Sequence, residues 1–281
     1  MTLYDTRMSK LHGPVTTNRV SVRGEAVASK RQRLGLSKIL DMGLRAVGNL
    51  IVPPVCLACH SPLTAHDALC AACWGQIDFI RAPLCNRLGV PLPFDSGGIM
   101  ISAAAAAHPP KYDRARAVGA FGGTLQKLIH GFKYSDRHDG RRLFGRWLVA
   151  AGSELIADCD VLIPIPLNRW RLLHRRFNQS AILANEISRR TGVRVTPLAL
   201  TRVKATVSQV GLTTLERQQN VANAFAVPPR YLAAIAGRRV LLIDDVITTG
   251  ATCNAATKAL KAAGATHVDV LALAVVTHSV T

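Results

Sequence analysis

One stretch restricts the fold more than any other: Val240-Leu-Leu-Ile-Asp-Asp-Val-Ile-Thr-Thr-Gly-Ala-Thr252. Val240 to Ile243 is a short apolar run with β-branched ends, the pattern of a strand buried on both faces of a parallel sheet. Asp244 and Asp245 follow where that strand is expected to end, and open α/β sheets bind ligands outside the carboxyl ends of their strands. Thr248-Thr249-Gly250-Ala251-Thr252 comes next, and then a helical run from Asn254 to Ala263. Gly250 lets backbone N–H groups approach a ligand, the Thr hydroxyls add donors, and a helix N-terminus favours an anion. Acids for hydroxyls beside a cradle for phosphate describe a site for a ribose phosphate. An ordinary strand-turn-helix with Thr caps explains the stretch less well, because adjacent buried acids need a polar partner. No Gly-Lys-Ser/Thr follows, so this is not a Walker loop.

The stretch resembles the 5-phosphoribosyl 1-diphosphate (PRPP) motif of type I phosphoribosyltransferases. That resemblance implies that Asp244 and Asp245 contact the ribose 2′- and 3′-hydroxyls, with Val246 between them and the loop. It also implies that Thr248, Thr249, Gly250, Ala251 and Thr252 wrap the 5′-phosphate.

A formal net charge of +18 favours polyanionic partners such as nucleic acid or phosphorylated metabolites. A basic, solvated surface accounts for part of it. Aromatics make up only 5% of the residues, which argues against a base-stacking platform for single strands as the main device. No apolar run reaches the length of a membrane span, and the N-terminus shows no secretory pattern. Membrane insertion is not expected, and the cysteine usage suits a reducing cytoplasm.

Residues 1–35 are polar, basic and aperiodic, and read as a disordered arm. A nucleic-acid tail and an inert extension both fit; so does a start codon placed too early, and the inert readings are preferred. Residues 36–90 read as an amphipathic helix followed by a metal module. Cys56-Leu-Ala-Cys59 and Cys70-Ala-Ala-Cys73 each let two thiolates face one ion, and together they give a closed, structural four-cysteine zinc site. Cys85 opens a similar turn in which Leu88 stands where a second Cys would be, so no metal is expected there. Residues 91–111 are rich in Pro, Gly and Ala and read as a linker.

Residues 112–281 read as an α/β domain with a parallel sheet. Expected elements are a strand at Arg116–Phe121, a helix at Thr124–Tyr134 ending near Lys133, and one long helix over Leu143–Ile156. A strand at Val161–Pro166 runs into a loop bearing Arg169, Arg171, His174, Arg175 and Arg176. So many neighbouring cations repel one another unless an anion is present, and diphosphate is a natural guest for Arg169, Arg175 and Arg176. A solvated Arg-rich loop is the alternative. Asn178 is expected to cap the next helix, and Val193–Leu198 to form a short strand. Thr201–Phe225 is polar and irregular, a candidate lid in which Arg202, Lys204 and Arg217 are the candidate contacts.

Several blocks agree in order: the paired CxxC motifs, Phe-Lys-Tyr134, Pro-Ile-Pro-Leu167, Arg-Arg-Phe-Asn-Gln179, Arg217-Gln-Gln-Asn220 and the acid-pair motif. Together, over about residues 36–277, they resemble the ComF family, in which a zinc module precedes a phosphoribosyltransferase-like domain. The resemblance implies Zn²⁺ as a structural ion, Mg²⁺ accompanying PRPP at a site that also takes Lys133 as a diphosphate contact, and an association with competence and DNA uptake, with single-stranded DNA as a candidate partner. Two departures stand out: Arg176 replaces the usual Gly before Phe-Asn-Gln, and Leu88 breaks a cysteine doublet. Nothing in the chain names an acceptor base, and no residue is singled out as catalytic.

Overall fold

A computed structural model of the chain describes residues 53–134, 140–167, 177–204 and 223–277. The expected basic arm and the amphipathic helix before Pro53 lie outside these residues. The sheet, the helices and the two small ribbons of the described residues all lie in one compact unit, Pro54–Thr281. Among the described residues no helix is long and apolar enough to cross a membrane.

The main sheet has five parallel strands in the order β1-β7-β6-β2-β3. They are β1 (Ala115–Ala120), β2 (Val161–Pro164), β3 (Arg194–Val195), β6 (Arg239–Ile247) and β7 (His267–Val275). A separate antiparallel pair joins β4 (Thr201–Arg202) to β5 (Phe225–Ala226). Central β6 shows why these strands read as continuous apolar runs. Val240 and Leu242 enter one core with Val161, Ile163 and Val270, while Leu241 and Ile243 enter the opposite core with Leu162 and Leu271. A strand covered on both faces has no polar side to alternate with.

On one face pack α3 (Gly123–Tyr134), α4 (Arg141–Ala151) and α6 (Gln179–Thr191), which contribute Leu125, Ile129, Phe144, Leu148, Leu183 and Ile187. On the other, α8 (Ala251–Ala262) contributes Cys253, Ala256 and Leu260. The single helix expected over Leu143–Ile156 is two helices. Gly152 separates α4 from the short α5 (Ser153–Asp158), and a Cβ there would lie 2.6 Å from the Leu271 side chain. Gly152 thus lies close against β7. The strand expected over Val193–Leu198 is reduced to the two residues of β3, which pair only with β2 at the sheet edge. A short α7 (Leu232–Ile235) precedes β6.

Residues 54–110 form two small ribbons. The first is closed by a bridge between Val55 and Pro62 and followed by α1 (Ala71–Gly75); the second is closed by a bridge between Leu84 and Pro91 and followed by α2 (Ala103–Ala107). Their connection pairs with the outer edge of β1: Phe79 bridges Gly119, Ile80 N–H donates to Val118, and Ala120 N–H donates to Asp78. The stretch 91–111, expected as a linker, thus carries a helix and part of a ribbon. Trp74 and Phe79 pack on Trp147 of α4, with ring centroids 5.6 and 5.4 Å away.

Candidate ribose-phosphate site and zinc centre

Asp244 and Asp245 are not beyond the strand, as expected, but within the last part of β6. Strand β7 continues beside them, pairing Asp244 with Ala272 and Val246 with Ala274, whereas β2 has its last paired residue at Pro164 opposite Ile243. The acids therefore occupy a step in the sheet, with one neighbouring strand present and the other gone. Beyond that step, α6 begins at Gln179. The Asn178 side chain accepts from Ser180 N–H at 3.1 Å, capping the helix as expected, and donates to the Ile165 carbonyl at 3.0 Å. Ser180 in turn offers its hydroxyl to Asp244 at 3.4 Å.

The two carboxylates are treated differently. Asp245 forms an ion pair with Lys133 at 2.8 Å, both side chains being largely shielded from solvent. Asp244 accepts from the backbone N–H of Asp245 at 2.8 Å. Although Asp244 keeps some solvent contact as a residue, its carboxyl is surrounded by protein. Burial first, and repulsion from Asp245 second, push its pKa up to about 7. Lys133, anticipated as a diphosphate contact, is thus engaged with the acid pair.

The loop expected to hold phosphate follows directly. Gly250 has φ +73° and leads straight into α8, so the helix starts at Ala251 rather than near Asn254. No side chain caps it, so its first turn presents backbone donors to the loop. The Thr249 hydroxyl oxygen is buried and lacks a hydrogen-bond partner. A twelve-residue helix with an uncapped N-terminus and an orphaned hydroxyl beside it is suited to an anion. Thr248 is exposed at the mouth of the loop.

Three further residues at the site escape sequence reasoning: Ser180, Tyr112 and Asn254. Tyr112 packs beneath Gly250, where a Cβ would lie 3.4 Å from its hydroxyl, and Asn254 accepts from Lys111 N–H at 2.7 Å. Ser180 follows the Phe-Asn-Gln block and can be found there, but Tyr112 and Asn254 act through tertiary contacts with no local signal. Among the lid candidates, Arg202 lies over the Phe225 ring at 5.2 Å and Lys204 is exposed. Arg169, Arg175, Arg176 and Arg217 lie outside the described residues.

The sulfurs of Cys56, Cys59, Cys70 and Cys73 all fall within 4.8 Å of one another, with Cys59 and Cys70 at 3.7 Å. Tetrahedral Zn²⁺ with Zn–S bonds near 2.3 Å requires sulfurs about 3.8 Å apart. Their surroundings divide the thiols: hydrogen bonds from Ser61 pull Cys59 down to about 6, while the Cys70 sulfur first and burial second push Cys73 up to about 12. A divalent cation removes that conflict by stabilising all four thiolates. The donor set and spacing fit a structural zinc.

Comparison with known proteins agrees with both halves. The double zinc ribbon domain model matches residues 47–105, and the phosphoribosyl transferase domain model matches residues 178–279. Competence protein F of Haemophilus influenzae is 31% identical over 228 residues, spanning 78% of this chain and 96% of that protein. The chain belongs to the ComF family. Another ComF relative, the DNA utilization protein YhgH of Salmonella typhimurium, is 30% identical over 80% of this chain and 98% of its own length. A shorter likeness, 61% over 41 residues, links this ComF chain to an orotate phosphoribosyltransferase of a Nocardioides species, covering 15% of this chain and 22% of that enzyme. The ribbon model continues to residue 105, past Cys85 and into the stretch expected as a linker.

Proposed function

We propose that this ComF chain binds PRPP at the carboxyl end of β6 and transfers its phosphoribosyl group to a nitrogenous base. The observation that carries this reading is the conjunction of the Asp244–Asp245 pair with the uncapped α8 N-terminus and the unpartnered Thr249 hydroxyl. The acids accept hydrogen bonds from the ribose 2′- and 3′-hydroxyls, while the loop and the first turn of α8 donate to the 5′-phosphate. The match to an orotate phosphoribosyltransferase supports the same ligand. A base nitrogen then forms a bond to the anomeric carbon as the bond to diphosphate breaks, and the nitrogen's proton leaves. Positioning and electrostatic stabilisation carry such a reaction, since the developing charge is spread over the sugar and the leaving group. Mg²⁺ suits the carboxylate oxygens of Asp244 and Asp245 and, when bound, offsets charge on the diphosphate. Calorimetry with PRPP and Mg²⁺ tests the site: binding that survives Asp244→Asn with Asp245→Asn sinks it. Diphosphate release across a panel of bases tests the transfer.

A second reading makes single-stranded DNA the partner and PRPP its regulator. A groove of about 1030 Å³ borders the loop at Thr249 and Ala251, and His108, Lys111 and Lys258 line it with no carboxylate among the described lining residues. Its position beside the loop, away from the acid pair, suits a polyanion. DNA binding of this kind weakens steeply with salt. No binding of a single-stranded oligonucleotide at low salt excludes it.

A further inference from the structure

The two ribbons are a structural duplicate in which only the first kept its metal ligands. In the first, Cys56 N–H donates to the Ser61 carbonyl and His60 N–H to that of Cys56; in the second, Cys85 N–H donates to Val90 and Gly89 N–H to Cys85. Leu63 N–H closes the first turn onto Pro54, and Leu92 N–H closes the second onto Pro83. His60 and Gly89 share a left-handed backbone, with φ 61° and 67°. The superposition of roles extends to the second halves. Cys70 caps α1 and its N–H donates to the Cys56 sulfur at 3.4 Å; Ser102 caps α2 and its N–H donates to the Cys85 sulfur at 3.2 Å. Cys73 N–H donates to Cys70, as Ala105 N–H does to Ser102.

This register identifies the four ligand positions of the second ribbon as Cys85, Leu88, Ser102 and Ala105. A thiol, an isobutyl group, a hydroxyl and a methyl cannot hold zinc, which takes thiolate, imidazole or carboxylate. Among the described residues, the only group of three or more His, Cys, Asp or Glu side chains close enough to hold an ion is the four-cysteine cluster of the first ribbon.

The second ribbon is held by other contacts. Cys85 and Ala105 are buried. The residues between the ligand positions, Asn86 and Arg87, are tied down: Asn86 takes Arg116 Nη2 on its side-chain oxygen at 2.8 Å, and Arg87 donates to the Pro110 carbonyl at 2.6 Å. Asn86 also forms backbone bonds with Met100 and Ala115.

We infer that the second ribbon is a metal-free duplicate, held by its own hydrogen bonds and its seat on β1, and that the chain carries a single zinc although its family model describes a double zinc ribbon. Elemental analysis of the purified full-length chain tests this. One zinc per chain is expected, retained in Cys85→Ala and lost in Cys56→Ser. Two zincs per wild-type chain, or loss of zinc in Cys85→Ala, overturns the inference. The register has its own test in the triple variant Leu88→Cys, Ser102→Cys, Ala105→Cys, which with native Cys85 should take up a second ion and double the cobalt–thiolate absorbance after Co²⁺ substitution. A folded triple variant that still binds one ion refutes the assigned positions. If the triple variant does not fold, the wild-type and Cys85→Ala stoichiometries decide.

Discussion

The sulfur cluster of the first ribbon and the carboxylate pair on β6 are both gatherings of like charge, and the molecule treats them in opposite ways. Four sulfurs lie within 4.8 Å of one another, a spacing made for one ion that stays. Among the described residues the two acids share one lysine: Lys133 neutralises Asp245, while Asp244 accepts from the Ser180 hydroxyl and a backbone N–H, and its pKa rises to about 7. A structural centre is satisfied completely because nothing has to leave. A ligand site is left partly unsatisfied, so that an incoming group has something to gain. The rest of the fold follows the same division. Around the sulfurs the surroundings are aromatic packing on α4; around the acids they are helix ends and a missing strand neighbour.

Breaking the closed centre should have the largest effect. Structural zinc supplies folding energy of about 10 kcal/mol in small ribbon-like domains. Chelation, or Cys70→Ser, is expected to unfold the first ribbon and detach Trp74 and Phe79 from Trp147. Tryptophan emission should shift to the red and calorimetry should show a lower melting temperature. Unchanged emission after zinc is shown to be gone would mean that aromatic packing alone holds the ribbon.

Breaking the open centre should leave the fold standing. Asp245→Asn and Asp244→Asn are each expected to weaken PRPP binding at least tenfold, since a hydrogen bond to a charged group contributes about 1.5–3 kcal/mol. Neither should lower the melting temperature as chelation does. A variant that keeps its affinity but unfolds would place its carboxylate among the structural groups instead. Lys133→Met sharpens the contrast further. It leaves Asp245 without a counter-charge in a largely shielded position, and a cost of about 1–2 kcal/mol in stability is expected, less than for a fully buried pair because solvent still reaches both side chains. Restoring the loss with Asp245→Asn in the same chain would establish that the ion pair, not the lysine stem, is responsible.

The closed centre is the easier of the two to read from sequence, because CxxC spacing carries its geometry within a few residues. The acid pair is legible for a similar reason: Val240 to Thr252 brings the strand, the acids, the loop and the start of the helix along one continuous segment. What escapes is whatever depends on a neighbour. The step in the sheet at Asp244 exists because β2 stops at Pro164, and the role of Lys133 depends on α3 ending beside β6. Likewise the second ribbon hides behind its losses. Leu88 reads as an absent cysteine, but Ser102 and Ala105 carry no trace of a ligand in their own side chains, and only the repeated hydrogen bonds expose them.

The finest test of the contrast is how stability depends on pH between the ordinary carboxylate range and neutrality. Asp244 has its folded pKa raised to about 7 from an ordinary value of 3.8, with burial the main cause. A carboxyl whose pKa rises on folding favours the folded state in its protonated form. Its contribution is fully present below pH 4 and drains away as the pH climbs to 7, because over that window the unfolded chain ionises and the fold resists. Asp244→Asn mimics the neutral acid at every pH. Wild type and variant, each without PRPP, should therefore differ least near pH 4 and separate steadily up to pH 7, with the wild type falling behind by about 1 kcal/mol; residual solvent holds the gap below the full linkage value. Saturating PRPP with Mg²⁺ should narrow or reverse the gap at neutral pH, because ribose hydroxyls and a cation favour the carboxylate that the unliganded site penalises. Curves that stay parallel from pH 4 to pH 7 would mean that Asp244 is already satisfied without ligand. The difference drawn between a centre that is complete and one that waits for its partner would then not hold.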